Sequence, residues 1–305
     1  MELRQLKTFL VVAEVRGFTK AAELLGYAQS SVTVQIQTLE EELGTPLFDR
    51  LGKKIVLTDG GERLLPFAAE MVRMHDAAKE AVQMEAQPQG TLIVGAPESL
   101  AAYRLPQIMR EYRKLYPQVK ITLRPGLCFE LRQQVRHGQL DFAFLLERAE
   151  DVSDLHREEL IEEPMRLIAP SDHLLTRKKR VEPEDLAAES ILHTEPGCSY
   201  RAQFEHHLHR HGVIPASSLE FWNIEAIKNC VMAGLGISFL PLISVESELG
   251  EGKLAALAWN GMEDRVTTQI IYHKNRWLSP ARREFLRIVR AHATRWREGE
   301  RIGGV

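Results

Sequence analysis

The stretch FTKAAELLGYAQSSVTVQIQTLEEELGTPLFDR, from Phe18 to Arg50, constrains what this chain can fold into more than any other. Thr19 suits the N-cap of a short helix over KAAELL, which Gly26 ends. A further helix is expected from about Gln29 to Leu43, with Val32, Ile36, Leu39 and Leu43 on one apolar stripe and Gly44 closing it. Ahead of both, Leu3, Leu6, Phe9, Leu10 and Ala13 recur at helical spacing, and Gly17 breaks that run. Behind them, PLFDR, a turn at Leu51-Gly52-Lys53 and KIVLT read as a hairpin. Two helices across a tight turn, the second with a polar outer face, have the pattern of a helix-turn-helix.

The chemistry of that outer face is specific. From Tyr27 to Leu39 no side chain is charged. Gln29, Ser30, Thr33 and Gln37 can exchange hydrogen bonds with base edges, and a threonine methyl can meet thymine. Charges there would attract any phosphate without discriminating sequence. The backbone grip is expected from Arg50, Lys53 and Lys54 on the hairpin, a cluster suited to a wing along double-stranded DNA. Residues 1–60 hold seven Lys and Arg against eight Asp and Glu, so affinity per copy should be weak and pairing of copies should compensate.

A seam for such pairing follows. Between about Asp59 and Gln87 the sequence predicts one long helix in which Leu64, Ala68, Met71, His75, Ala78, Val82 and Glu85 alternate at spacings of four and three. That heptad pattern points to a homodimer. QPQG at 87–90 reads as a hinge. Beyond it, strand-like segments such as TLIVGA, VKITLR, DFAFLL, MRLIA and TQIIYH alternate with helical ones such as LAAYRLPQIMREYRKLY, FELRQQVRHG and IEAIKNCVMAG. A helix from about Pro280 to Trp296 closes the chain. The alternation implies an α/β architecture with mostly parallel strands in two subdomains.

The 305 residues suffice for two or three domains, and 44% hydrophobic with 27% charged residues is a globular composition. Lys7 and Glu14 interrupt the N-terminal apolar run, and no run reaches the length of a bilayer span, so no membrane partner and a cytoplasmic location are expected. Three widely spaced cysteines fit a reducing compartment. G-x-S-x-G, H-E-x-x-H, C-x-x-C and P-loop motifs are absent, which argues against an enzyme, and no cofactor is implied. EHHLHRH at 205–211 places His207 and His211 one turn apart, but no Cys or carboxylate other than Glu205 is spaced to complete a metal site, so a solvated helix face is expected.

Taken together, Thr19, Ala21-Ala22, Leu25, Gln29, Val32, Ile36, Leu39-Glu40, Leu43-Gly44, Leu47-Phe48, Arg50, Leu57-Thr58 and Gly61 resemble the LysR-type transcriptional regulators. The resemblance extends along the chain, with GLGISFLP at 234–241 matching a Gly-rich strand entry. It implies a winged helix-turn-helix DNA-binding domain at 1–58, a linker dimerisation helix and hinge at 59–89, and an effector-binding domain at 90–305. The last would resemble periplasmic binding proteins, with subdomain I at 90–163 and 269–305 and subdomain II at 164–268. The implied partners are promoter DNA, a small-molecule effector, further copies of the chain as dimer or tetramer, and RNA polymerase. Ala28 stands where a capping Ser is usual, Ser30 where Pro is frequent, and Thr33-Val34 where Ser-Arg or Ser-Lys is common.

In such a fold ligands bind where strands end and helices begin. Three junctions, beginning at Pro97, Pro125 and Thr194, fit. They nominate Ser99, Leu100, Cys128, Cys198, Ser199 and Arg201 as effector contacts, and Arg201 with the helix dipoles favours a small anion or carboxylate. Glu98 opposes such charge and selects for a ligand that also carries a donor. Closure is expected about the strands near Pro164 and Thr268. Cys128 and Cys198, both at helix starts, raise the alternative of redox sensing, although Cys198 lies one residue off the family's peroxide-sensing pattern and its partner is missing. Cys230 reads as core.

Overall fold

The apolar spacing of the N-terminal region becomes three short helices in the structure, a computed structural model that describes residues 1–51, 54–82, 87–148, 154–259 and 265–303. Helix α1 spans Leu3–Val15, α2 Phe18–Leu25 and α3 Gln29–Leu43. Val32, Ile36 and Leu39 are fully buried against Leu6, Phe9, Val12, Ala21 and Ala22. Burial of each such side chain stabilises by about 1.5–3 kcal/mol, enough to set the rotation of α3 about its axis. Leu43 is 39% exposed, outside the stripe expected for it, because Gly44 turns the chain away there with φ +66. The Gly44 N–H closes the helix on the Glu40 and Glu41 carbonyls, a left-handed cap that a Cβ would strain. The N-cap of α2 is Gly17, so Thr19 lies inside the first turn.

Strands β1 (Phe48–Leu51) and β2 (Lys54–Leu57) pair antiparallel, Phe48 opposite Leu57 and Arg50 opposite Ile55. Glu40 Oε1 accepts from Leu47 N at 2.7 Å and Phe48 N at 3.3 Å, tying this hairpin to α3. Phe48 packs between Phe9 at 5.3 Å and Phe18 at 5.9 Å.

Helix α4, Asp59–Val82, differs from its expected seam. Ala68 is buried in the N-terminal core, and Leu64, Leu65 and Val72 pack against that core. Leu64 and Ala68, two of the seven expected seam positions, therefore pack within their own helix-turn-helix unit. Phe67 (63% exposed), Met71 (41%) and Met74 (67%) face outward, with Ala78 exposed one turn on. Glu85 lies outside the described residues.

Helices α1–α4 and the hairpin belong to one compact unit, Met1–Ala86 with Arg136–Gln139; the other is Gln87–Val135 with Leu140–Val305. In the second unit the chain runs through β3 (Gly90–Ala96), α5 (Glu98–Tyr103), α6 (Leu105–Leu115), β4 (Val119–Pro125), α7 (Cys128–Arg136), β5 (Phe142–Glu147) and β6 (Leu155–Glu162). It continues with β7 (Met165–Pro170), β8 (Ser190–His193), α8 (Ser199–Arg210), β9 (Ser217–Glu220), α9 (Ile224–Met232) and β10 (Ser238–Pro241). Last come α10 (Leu242–Gly250), β11 (Leu254–Ala256), β12 (Thr267–His273) and α11 (Pro280–Gly303).

One five-stranded sheet has the order β4-β3-β5-β12-β6, and β7 to β11 form a second lobe of two small sheets, β10-β7-β11 and β8-β9. The expectation of mostly parallel strands is half met. β3 runs parallel to β4 and β5, whereas β12 is antiparallel to β5 and β6, and β7 is antiparallel to both its neighbours. The physical reason is connectivity: β12 returns from the second lobe without crossing the sheet on a helix, so it need not arrive parallel. The helix expected over LAAYRLPQIMREYRKLY is two helices divided at Arg104. The chain crosses between lobes at Glu163-Pro164 and again near Val266, and Glu163 N bonds to Val266 O at 2.8 Å.

Candidate functional site

The rotation of α3 fixes what it offers outward. With Val32, Ile36 and Leu39 inside, Gln29, Ser30, Ser31, Val34, Gln37 and Thr38 are exposed, and Thr33 and Gln35 are half-buried. Gln35 is committed inward, since its Oε1 accepts from the buried Thr8 hydroxyl at 2.7 Å and locks α3 onto α1. The Thr33 hydroxyl donates to Gln29 O at 3.0 Å and the Thr38 hydroxyl to Val34 O at 2.9 Å. Thr33, expected to donate to a base, has therefore spent its proton on the helix, as threonines within helices commonly do. Ser31, Val34 and Thr38 were not among the expected contacts. Their exposure follows only from the helix phase, because a valine between buried residues reads as core.

No side chain caps the N-terminus of α3, where Ala28 stands at the N-cap. On the hairpin, Arg50 and Lys54 are placed by backbone register alone, opposite Ile55 and Leu51, and Lys53 lies outside the described residues.

In the second unit the strand–helix junctions gather between the lobes. Glu147, buried at the end of β5, forms an ion pair with Arg132 of α7, and its Oε2 accepts from the Ser199 hydroxyl of α8 at 3.4 Å. The Glu147 carbonyl accepts from Thr267 Oγ1 at 3.2 Å and Gln269 Nε2 at 3.0 Å. Cys128 adjoins this cluster, with its Sγ 3.5 Å from Leu146 N. Cys128, Glu147 and Ser199 thus bring β5, α7 and the start of α8 to one place. Sequence reasoning missed Glu147, whose partners lie 15 and 52 residues away.

A second cluster joins α5 to α9. Glu98 accepts from Ile224 N at 3.2 Å and Asn223 Nδ2 at 3.4 Å. Burial pushes its carboxyl above the ordinary carboxylate value; the Ile224 N–H works against that, and Glu195 and Glu225 add to it. Tyr103 donates to Glu225 at 2.5 Å, and Lys228 bridges Glu225 at 2.6 Å and Glu248 at 2.8 Å. Burial alone would lower the Lys228 ammonium, but the hydrogen bonds it donates to Glu225 and Glu248 outweigh that and raise it.

The remaining expected contacts fall elsewhere. Ser99 is buried at the start of α5, and Leu100 is fully buried in the main hydrophobic core. Arg201 reaches Glu205 at 2.7 Å, Glu220 at 3.1 Å and the Thr194 carbonyl, so its charge is already answered. Cys198 is the N-cap residue of α8 and is buried. Burial pushes the Cys128 thiol up to about 12, with Glu147 adding to the rise, and raises Cys198 for the same first reason. Both thiols are therefore protonated at neutral pH, the opposite of a reactive thiolate.

Among the described residues no group of three or more His, Cys, Asp and Glu is arranged to hold a metal ion. The His207 and His211 rings lie 4.5 Å apart, tilted at 41°, and His211 Nδ1 lies 2.9 Å from the His207 carbonyl. Among these residues, too, no helix is long and apolar enough to cross a membrane.

Comparison with known proteins places this geometry. Residues 3–62 match the bacterial regulatory helix-turn-helix protein, lysR family, and residues 85–294 match the LysR substrate binding domain. The HTH-type transcriptional regulator YwqM of Bacillus subtilis (strain 168) is 44% identical over 293 residues, covering 95% of this chain and 99% of the relative. The structure of a full-length OxyR variant from Pseudomonas aeruginosa superposes with a TM-score of 0.77 at 25% identity, over 96% of this chain and 94% of that one. Full-length CbnR complexed with its target DNA shares the fold, with a TM-score of 0.64 at 24% identity over 96% of this chain and 100% of that one. This chain belongs to the LysR family of DNA-binding transcriptional regulators.

Proposed function

We propose that this regulator reads promoter DNA with the outer face of α3 and changes its hold on that DNA when a small molecule enters between the two lobes. The observation that carries the reading is the uncharged, exposed face formed by Gln29, Ser30, Gln37 and their neighbours, which suits base edges and not phosphate. Arg50, Lys53 and Lys54 supply the phosphate grip. Residues 1–58 act as the DNA-binding domain, 59–89 as the linker, and 90–305 as the effector-binding domain, with lobes 90–163 plus 269–305 and 164–268. The CbnR complex with target DNA is a precedent for this use of the fold.

Two copies pair through the outward face of α4, where Phe67, Met71 and Met74 stand exposed at spacings of four and three. Pairing doubles the contacts of a domain with little positive charge of its own, and RNA polymerase is the downstream partner.

The effector is a small carboxylate or other anion that also carries a hydrogen-bond donor. Ser199 and the start of α8, which no side chain caps, suit the anion, while Glu147 and Glu98 accept the donor. Binding closes the lobes about the two crossovers at Glu163-Pro164 and near Val266.

The test is a pair of titrations on an operator duplex and on random duplex. Gln29→Ala and Gln37→Ala are expected to lose discrimination between the two, and Arg50→Ala to weaken both about equally. Full specificity retained in both glutamine variants overturns the assignment of the reading face. For the effector, a thermal-shift series of carboxylates with and without an amine should show a stabilised chain, by about 2.7 kcal/mol at a hundred times Kd.

A further inference from the structure

We infer that Val34 is a specificity-determining residue whose methyl groups meet the C5-methyl of one thymine in each operator half-site. The inference rests on the reading that α3 contacts base edges. Among the large apolar residues from Val32 to Leu39, Val34 alone points out: it is 57% exposed, whereas Val32, Ile36 and Leu39 are at 0%. An exposed valine does not serve the fold, since valine forms helix less readily than lysine, glutamine or alanine.

Its neighbours extend the apolar character. Thr38 lies one turn on, and its hydroxyl is turned back to the Val34 carbonyl at 2.9 Å; Thr33 is turned back to Gln29 O at 3.0 Å. Both hydroxyl protons are satisfied within the helix, which leaves the threonines with their methyls and an acceptor to offer. The middle of α3 is thus a strip of methyl groups between the hydrogen-bonding side chains of Ser30 and Gln37. Of the groups that base pairs present in the major groove, the apolar one is the thymine methyl, and an exposed aliphatic side chain has nothing to gain from a phosphate. Gln37, one turn from Val34 on the same face, is placed to take the N6 and N7 positions of an adenine, so an A·T pair under the centre of α3 satisfies both.

The experiment uses the full chain and the duplex it selects from a random library. Each thymine in the half-site is replaced in turn by deoxyuridine, which removes the methyl and keeps every hydrogen-bonding group. Loss of one buried methyl contact should weaken binding about fourfold at a single thymine position. Val34→Ala should weaken the unmodified duplex by a similar factor and show no further loss on deoxyuridine at that position. Its thermal unfolding should not fall below the parent's, because truncating an exposed side chain leaves no cavity and alanine is the better helix former. Indifference of the parent to deoxyuridine at every thymine overturns the inference, and so does a Val34→Ala variant that keeps the full fourfold sensitivity. Failure to select any sequence overturns the base-reading role of α3, and this inference with it.

Discussion

Arg104 grips Glu163 at two points, its Nε and Nη2 each 2.8 Å from a different carboxylate oxygen. Glu163 is 2% exposed, and Thr268 Oγ1 donates to the same carboxylate at 2.7 Å. Arg104 also lies over the Trp296 ring, 4.8 Å from its centroid. One carboxylate therefore fastens both crossovers to the junction between α5 and α6. The Coulombic gain of such a pair is largely spent on desolvation, but removing one member strands the other in a dry site. Glu163→Ala should destabilise the chain by about 3 kcal/mol in urea unfolding, and Arg104→Met with Glu163→Leu should recover most of that.

The two clusters between the lobes lead to a pH prediction. In the fold Glu98 holds its proton to higher pH than in the unfolded chain, where it titrates near 4.5. Its ionisation therefore costs stability, a cost present above the raised value and absent below about 4.5. Glu98→Gln should raise the unfolding midpoint at pH 7, and the gain should fade as the pH falls toward 4. Partial exposure keeps the effect below about 1 kcal/mol. A gain that grows on acidification contradicts the assignment.

Thiol chemistry separates the redox alternative from the ligand reading. Cys128 and Cys198 are buried and protonated, whereas Cys230 is half-exposed. Timed alkylation of the native chain at pH 7.5, followed by mass spectrometry, should label Cys230 at least tenfold faster than the other two. Mild peroxide should leave Cys128 and Cys198 unmodified while DNA binding persists.

The outward face of α4 gives a prediction about assembly. Phe67→Asp or Met74→Asp should raise the dimer dissociation constant at least about tenfold, because pairing would bury an unpaired carboxylate. Sedimentation velocity over a concentration series reads this directly. DNA affinity should fall with it, while the secondary structure stays, since both positions are exposed.

Much of this architecture could be read from the sequence because its signals are local. Gly26 and Gly44 mark the ends of α2 and α3, and the apolar spacing of Val32, Ile36 and Leu39 places the buried stripe. On α4, Leu64 and Ala68 satisfy a heptad seam and a core stripe at once, and only tertiary packing against α1 and the hairpin decides between them. Strand β6 was missed because HREELIE is too charged to look half-buried; its charges find cross-strand and helix partners such as Arg290, 132 residues from Glu158. Glu147 and Glu163 were illegible for the same reason. A buried carboxylate looks like a surface one until its arginine is known, and the arginine that neutralises Glu163 lies 59 residues earlier.

The position of β12 in its sheet sets an order of events for a chain emerging from the ribosome. β5 and β6 do not pair with each other; β12 lies between them, and Thr267 meets Glu147 at a sequence separation of 120. Everything from β7 to β11 is synthesised before that slot can be filled. The lobe that begins first is thus completed last, and the facing edges of β5 and β6 stay open for pairing with other chains throughout the wait. A ribosome that stalls inside the second lobe would release a first lobe with two sticky edges, so the dependence on chaperones should be concentrated in that interval of synthesis.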